Sequence, residues 1–133
     1  MQRLLPIAVL FAVGCRSGSA PAPVDTGAKE IAVAWFTAMA AGNAADARAM
    51  LDSESLHRVS SDAFARQAAA YSKKVGYHVD RVHVQTCEEN GDAATIHVVL
   101  IGRSGGHSRR FQDAVALRRS NGIWKVVLSS IRA

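Results

Sequence analysis

The chain has 133 residues, 49% hydrophobic and 20% charged, with 16 Lys and Arg against 11 Asp and Glu for a formal charge of +5. That length holds one domain and leaves no room for a second. Two cysteines, Cys15 and Cys87, and five scattered histidines exclude a disulfide framework and give no ligand spacing for a structural metal, so neither metal nor other cofactor is expected.

The first element is a short apolar segment with Arg3 before it, residues 4–13 as its greasy stretch, and Ala12, Val13 and Gly14 leading to Cys15. About ten apolar residues make roughly 15 Å of helix, half of a bilayer core, so the segment is too short to span. It resembles the bacterial lipobox pattern, in which a lipid is attached to the cysteine thiol and the chain is cut just before it. The resemblance implies a signal peptide over 1–14, lipidation of Cys15, and a membrane as partner. Two or more acyl chains give stable anchoring where one is marginal. Arg16 stands where an aspartate would mark inner-membrane retention, which implies a cell-envelope protein on the outer membrane, facing the periplasm, if the host is Gram-negative. A plain secretory signal cut near Ala20 is the competing reading. Residues 15–27, with Ser17, Gly18, Ser19, Pro21 and Pro23, have the composition of a flexible tether, and the folded domain is expected over 28–133.

Ile31, Trp35 and Met39 recur every four residues, with Ala34 and Ala38 beside them, and predict a helix over 29–41 that Gly42 ends. Asn43 can cap a shorter helix running through Met50 and Leu51, whereas 55–59 reads equally as a strand or a helical turn. Ser61 opens a third helix with Phe64, Ala68 and Tyr71 as its buried stripe. Lys73 and Lys74 complement its carboxyl end, and Gly76 suits the position past it.

Beyond Gly76 the period falls to two, and four strands are predicted over 77–87, 93–101, 108–118 and 123–131. The dipeptides Asn90-Gly91 and Asn121-Gly122 favour tight hairpins, and Gly105-Gly106 can serve similarly. The expected fold is therefore α+β: N-terminal helices packed on an antiparallel meander sheet of four or more strands.

Trp35-Phe36 in the first helix, Gly42-Asn43 after it, and Ser120-Asn121-Gly122-Ile123-Trp124-Lys125-Val126-Val127 near the end resemble the nuclear transport factor 2-like superfamily, over residues 28–132. The resemblance implies a curved sheet wrapped around helices into a cone. The superfamily includes isomerases such as the ketosteroid isomerases, cyclases, dehydratases, transport factors and accessory domains, so fold alone does not fix function.

Counting strand partners outward from each dipeptide turn puts Arg81, His83 and Cys87 on the core face of the first strand, Val98 and Leu100 on the second, Phe111 and Asp113 on the third, and Trp124, Leu128 and Ser130 on the fourth. His83, Val98, Asp113 and Ser130 then share one row, with Arg81, Leu100, Phe111 and Arg132 in a neighbouring row. A small apolar ligand is expected against Arg81, His83, Phe111, Asp113, Trp124 and Tyr71. Asp113 and His83 are the candidate acid/base groups if the domain catalyses anything, since a carboxyl among apolar side chains can act near neutral pH. A purely structural role competes, with Asp113 paired to Arg81 or Arg132. The opposite face would carry Val82, Val84, His97, Val99 and Ile101, an apolar patch suited to homodimer formation through the sheet.

Three functions follow from this sequence. The first is a non-catalytic, membrane-anchored envelope domain that binds a small apolar ligand or a protein partner. The second is an isomerase-like or cyclase-like enzyme on a hydrophobic substrate, using Asp113. The third is a basic module for anionic envelope lipid, because residues 103–132 hold seven bases and one acid. The basic stretch has no interleaved aromatic platform, so nucleic acid is not an expected partner.

Overall fold

The computed structural model describes residues 26–128. The expected signal segment 1–14, Cys15, nearly all of the tether, and Ser130 and Arg132 lie outside the described residues. Helix α1 spans Ala28–Ala40, α2 Ala44–Arg48, α3 Ser53–Arg58 and α4 Ser61–Val75. Strands β1 (His78–Asn90), β2 (Ala93–Ser104), β3 (His107–Ser120) and β4 (Ile123–Val127) form one antiparallel sheet in chain order. The fold is α+β, with helices packed on one face of a curved meander sheet.

Three of the four helices begin at a side-chain cap. Asn43, Asp52 and Ser60 cap α2, α3 and α4 by accepting hydrogen bonds from the amides of Asp46, Ser55 and Ala63. Such caps satisfy amides that have no partner within the helix. The ambiguous segment 55–59 is thus helical through Arg58, in a helix that Asp52 caps, and Val59 after it is extended. Gly76 closes α4 in the left-handed conformation, φ 80°, which a side chain would strain. The apolar stripe of α1 is rotated from the expected one. Ala32, Trp35, Phe36 and Met39 are buried while Ala34 is exposed, so Phe36 joins the core.

The predicted second helix stops at Arg48, three residues earlier than expected. Its continuation serves the sheet instead: Val126 N–H donates to the Met50 carbonyl at 2.7 Å, and Asp52 N–H donates to the Val126 carbonyl at 2.9 Å. Leu51 therefore bridges to Val126 in parallel and covers the edge of β4. The edge is tied further by Ser55, fully buried, whose Oγ accepts the Leu128 amide at 2.9 Å, and by Arg58, which donates to the Leu128 carbonyl at 2.7 Å.

The β2–β3 and β3–β4 registers agree with the turn count. Val98 faces Asp113, Leu100 faces Phe111 and Leu117 faces Val126. The β1–β2 register does not. Asn90 pairs with Ala93, so Gly91-Asp92 forms the turn, and irregularities between Val79 and Arg81 and between Val84 and Thr86 each insert a residue into β1. A bulge reverses which face the following side chains occupy. The core face of β1 is consequently Val79, Val82, Val84 and Cys87. Arg81 and His83 are exposed, correcting their expected place on the core face. The correction also removes Val82 and Val84 from the apolar patch expected outside. His97, Val99 and Ile101 remain on the opposite face, where Val99 is fully buried.

Asp52 joins helix cap to sheet. Its carboxylate accepts from the Ser55 amide at 2.9 Å and meets Arg118 of β3 at 3.1 Å. Burial raises its pKa most strongly, but the hydrogen bonds from Ser55 and the charges of Arg118 and Arg58 together hold it below the ordinary 3.8. A carboxyl depressed in the folded state contributes stability that is complete above its unfolded value and is lost as pH falls through the folded value. Asp52→Asn, which keeps a competent cap, is therefore expected to be less stable than wild type at pH 7, with the difference shrinking as pH drops below 3.8. Urea midpoints at several pH values measure it, and a pH-independent gap would exclude the charge as its source.

Candidate functional site

The sheet and the two long helices leave a cavity of about 620 Å³ open to solvent. Trp35, Phe36 and Met39 reach it from α1, and Gln67, Tyr71 and Lys74 from α4. These positions recur at three and four residues because one face of each helix turns toward the sheet. Asp113 and Val115 close the wall on β3, Val126 and Val127 on β4, and Leu128 just past its end. Most of this surface is apolar.

Asp113 is the carboxylate of the cavity. It sits half-buried on the core face of β3 between Phe111 and the buried Val115. Its Oδ2 accepts from the Tyr71 hydroxyl at 2.7 Å, and its Oδ1 accepts from the Ala114 amide at 2.7 Å. Burial, followed by the hydrogen bond and charge of Asp113, pushes the Tyr71 pKa far above the ordinary 10.0. Tyr71 therefore stays a hydrogen-bond donor across the physiological range. Its ring is held edge-on to Phe111, with centroids 5.9 Å apart, and against Phe36 at 6.3 Å. Such ring pairs fix the orientation of the phenol.

The expected site residues separate into three groups. Tyr71 and Asp113 come together at the cavity, with Phe111 behind Tyr71. Arg81 and His83 lie on the other face of β1, so neither shares the row of Asp113. Trp124 is buried at a different place: its indole N–H donates to Thr26 Oγ1 at 3.1 Å, and the Arg119 guanidinium stacks 4.9 Å from its ring centroid. It seals the start of the domain against β4 and does not line the cavity.

Sequence reading missed Phe36, Gln67 and Lys74 as lining residues. The spacing of Gln67, Tyr71 and Lys74 along α4 is the signal that could have found them. Lys74 had been assigned to the helix end, where it does lie, but its Nζ also stands 5.9 Å from the centroid of Phe111. Among the described residues, no group of three or more His, Cys, Asp and Glu side chains converges in a way that could hold a metal. The exposed arginines 103, 109 and 110 belong to the far end of the β2–β3 hairpin, where Arg109 stacks on the Tyr77 ring at 5.6 Å.

The arrangement offers a protonated phenol and a carboxylate at the side of an apolar cavity. The carboxylate can accept further hydrogen bonds, because about four lone-pair sites serve two oxygens and two are taken. As a proton-abstracting base it is encumbered, since Oδ2 already holds the Tyr71 hydroxyl.

No protein-family model matches the sequence, and no curated protein matches it by sequence. Solved structures do match by shape. A Campylobacter jejuni protein described as an NTF2-like transpeptidase superposes with a TM-score of 0.63 at 17% identity, over 76% of this chain and 97% of that one. A Catenulispora acidiphila protein with a ketosteroid isomerase-like fold, in complex with trimethylamine, superposes with a TM-score of 0.50 at 18% identity, over 74% of this chain and 82% of that one. The domain thus has the nuclear transport factor 2-like fold. At such identities the likeness concerns the fold, and chemistry has to come from the site.

Proposed function

We propose that this protein is a lipid-anchored envelope protein whose cone domain binds a small apolar ligand without transforming it. The observation that carries the binding reading is the open, mostly apolar cavity with two convergent polar groups, Tyr71 and Asp113. A concave apolar site of this size with few placed polar groups is the usual form of a small-molecule site. The anchoring reading is supported by the segment ending at Cys15. The isomerase-like alternative would need Asp113 free to take a proton, and the Tyr71 hydrogen bond on Oδ2 weighs against it.

Cavity binding is tested with 1-hexanol, followed through backbone amide chemical shifts. Saturable shifts at Ala70, Tyr71 and Val126 are expected, and Gln67→Trp, which puts an indole into the cavity, should weaken them at least fivefold while leaving thermal unfolding near wild type. Shifts unaffected by the variant would place the binding elsewhere and overturn the reading. Anchoring is tested by intact mass after purification from the native membrane. A chain beginning at Cys15 with added acyl mass is expected, and Cys15→Ala should lose both; an unacylated mass with cleavage elsewhere would make the protein secreted and unanchored.

A further inference from the structure

We infer that the cavity is selective for a protonated amine: its ligand is an apolar body ending in an alkylammonium group, seated with the ammonium on Asp113. The inference rests on the cavity-binding reading and adds the chemical class of the head group. Its basis is how Asp113 is satisfied. Both of its hydrogen-bond partners, the Tyr71 hydroxyl and the Ala114 amide, are neutral donors. Among the described residues no cation lies within ion-pair distance of it, so within that part of the chain its charge is stabilised by the two neutral donors and by solvent entering the cavity. Of the two arginines expected to pair with it, Arg81 is on the outer face of β1 and Arg132 lies outside the described residues, while the Arg118 and Arg119 guanidinium groups are committed to Asp52, Glu54 and Asp92.

An apolar ligand filling the cavity displaces that water. A neutral tail against Asp113 would strip the open lone pairs of a carboxylate and give nothing in return, which is the costly case for a buried charge. A carboxylate or phosphate head would add like-charge repulsion. An ammonium group fills the lone pairs with charge-assisted hydrogen bonds. The remaining walls agree, because Trp35, Phe36 and Tyr71 present aromatic rings to the same space, and ring faces attract cations. The opposing group is Lys74, the cation of the cavity lining. It is exposed, and its Nζ stands over Phe111 and not against Asp113, so solvent screens its repulsion.

The test is a series with one tail and three heads, hexylammonium, 1-hexanol and hexanoate, titrated into the domain at pH 7 and read by the amide shifts of Tyr71, Asp113 and Ala114. Hexylammonium is expected to bind at least tenfold more tightly than 1-hexanol, with hexanoate the weakest. Asp113→Asn, which keeps an acceptor for Tyr71, should remove that margin, weakening hexylammonium while 1-hexanol, no longer set against a carboxylate, binds as well as before or better. Lys74→Gln, at an exposed position that the fold does not need, should tighten hexylammonium and so keeps the inference testable if Asp113→Asn does not fold. Equal affinity for hexylammonium and 1-hexanol, or preference for hexanoate, would overturn the amine assignment while leaving the cavity a binding site. Failure of all three to bind would overturn the cavity reading itself.

Discussion

Phe64→Ala is expected to lower the unfolding free energy by about 3–5 kcal/mol, a large part of the roughly 5–15 kcal/mol that holds a domain of this kind together. Phe64 is fully buried on α4, and its ring lies against Trp35 of α1 with centroids 6.0 Å apart. The pair joins the two long helices before either meets the sheet. Removing the ring takes away both the transfer free energy of the side chain and the contacts of the cavity left behind, and neighbours anchored on two helices and a sheet can close that void only in part. The urea midpoint should fall with an unchanged slope. A loss under about 1.5 kcal/mol would mean that the layer between α1 and α4 packs differently from the arrangement described.

Gly102→Ala is expected to cost about 3 kcal/mol, toward the high end for overpacking, and to disturb β1 more than β2. Gly102 pairs with Val79, beside the first irregularity of β1. A Cβ there would overlap the His78 carbonyl oxygen and approach Cδ2 of Tyr77 to 2.7 Å. The Tyr77 ring cannot simply swing away, because its hydroxyl donates to the Leu100 carbonyl at 2.6 Å. The added methyl must therefore move backbone or break that bond. Gly91→Ala provides the contrast, since it has a φ of 66° with nothing within 4 Å. Only conformational strain opposes that change, about 1 kcal/mol. Equal losses at the two positions would show that the close approach of β1 to Gly102 is relieved at little cost, against the packing described.

Much of the architecture was legible because it is written in local signals. Apolar residues three and four apart marked α1 and α4, Gly76 marked the end of α4, and Asn121-Gly122 set a β3–β4 register that placed Leu117 opposite Val126. Gly105-Gly106 likewise placed Asp113 opposite Val98. The first hairpin was misread at Arg81, His83, Val82 and Val84 because the turn count assumed an uninterrupted strand. The spacing of Val79, Val82, Val84 and Cys87, three then two then three, carried the bulges all along. A period of two cannot express that pattern, and only pairing against β2 decides which residues are extra.

The amino-acid sequence by itself determined the two long helices, the four strands with their hairpin connections, and the α+β class, since each depends on periodicity and turn chemistry within a few residues. Tertiary structure alone decided the rest. Tyr71 and Asp113, 42 positions apart, meet at 2.7 Å because the Tyr71 side chain reaches from α4 to the core face of β3. Leu51 leaves its helix to guard β4, and Trp124 is drawn away from the cavity to Thr26. Contacts of that kind follow from how helices settle on a curved sheet, where one inserted residue in β1 exchanges what faces the core for what faces outward.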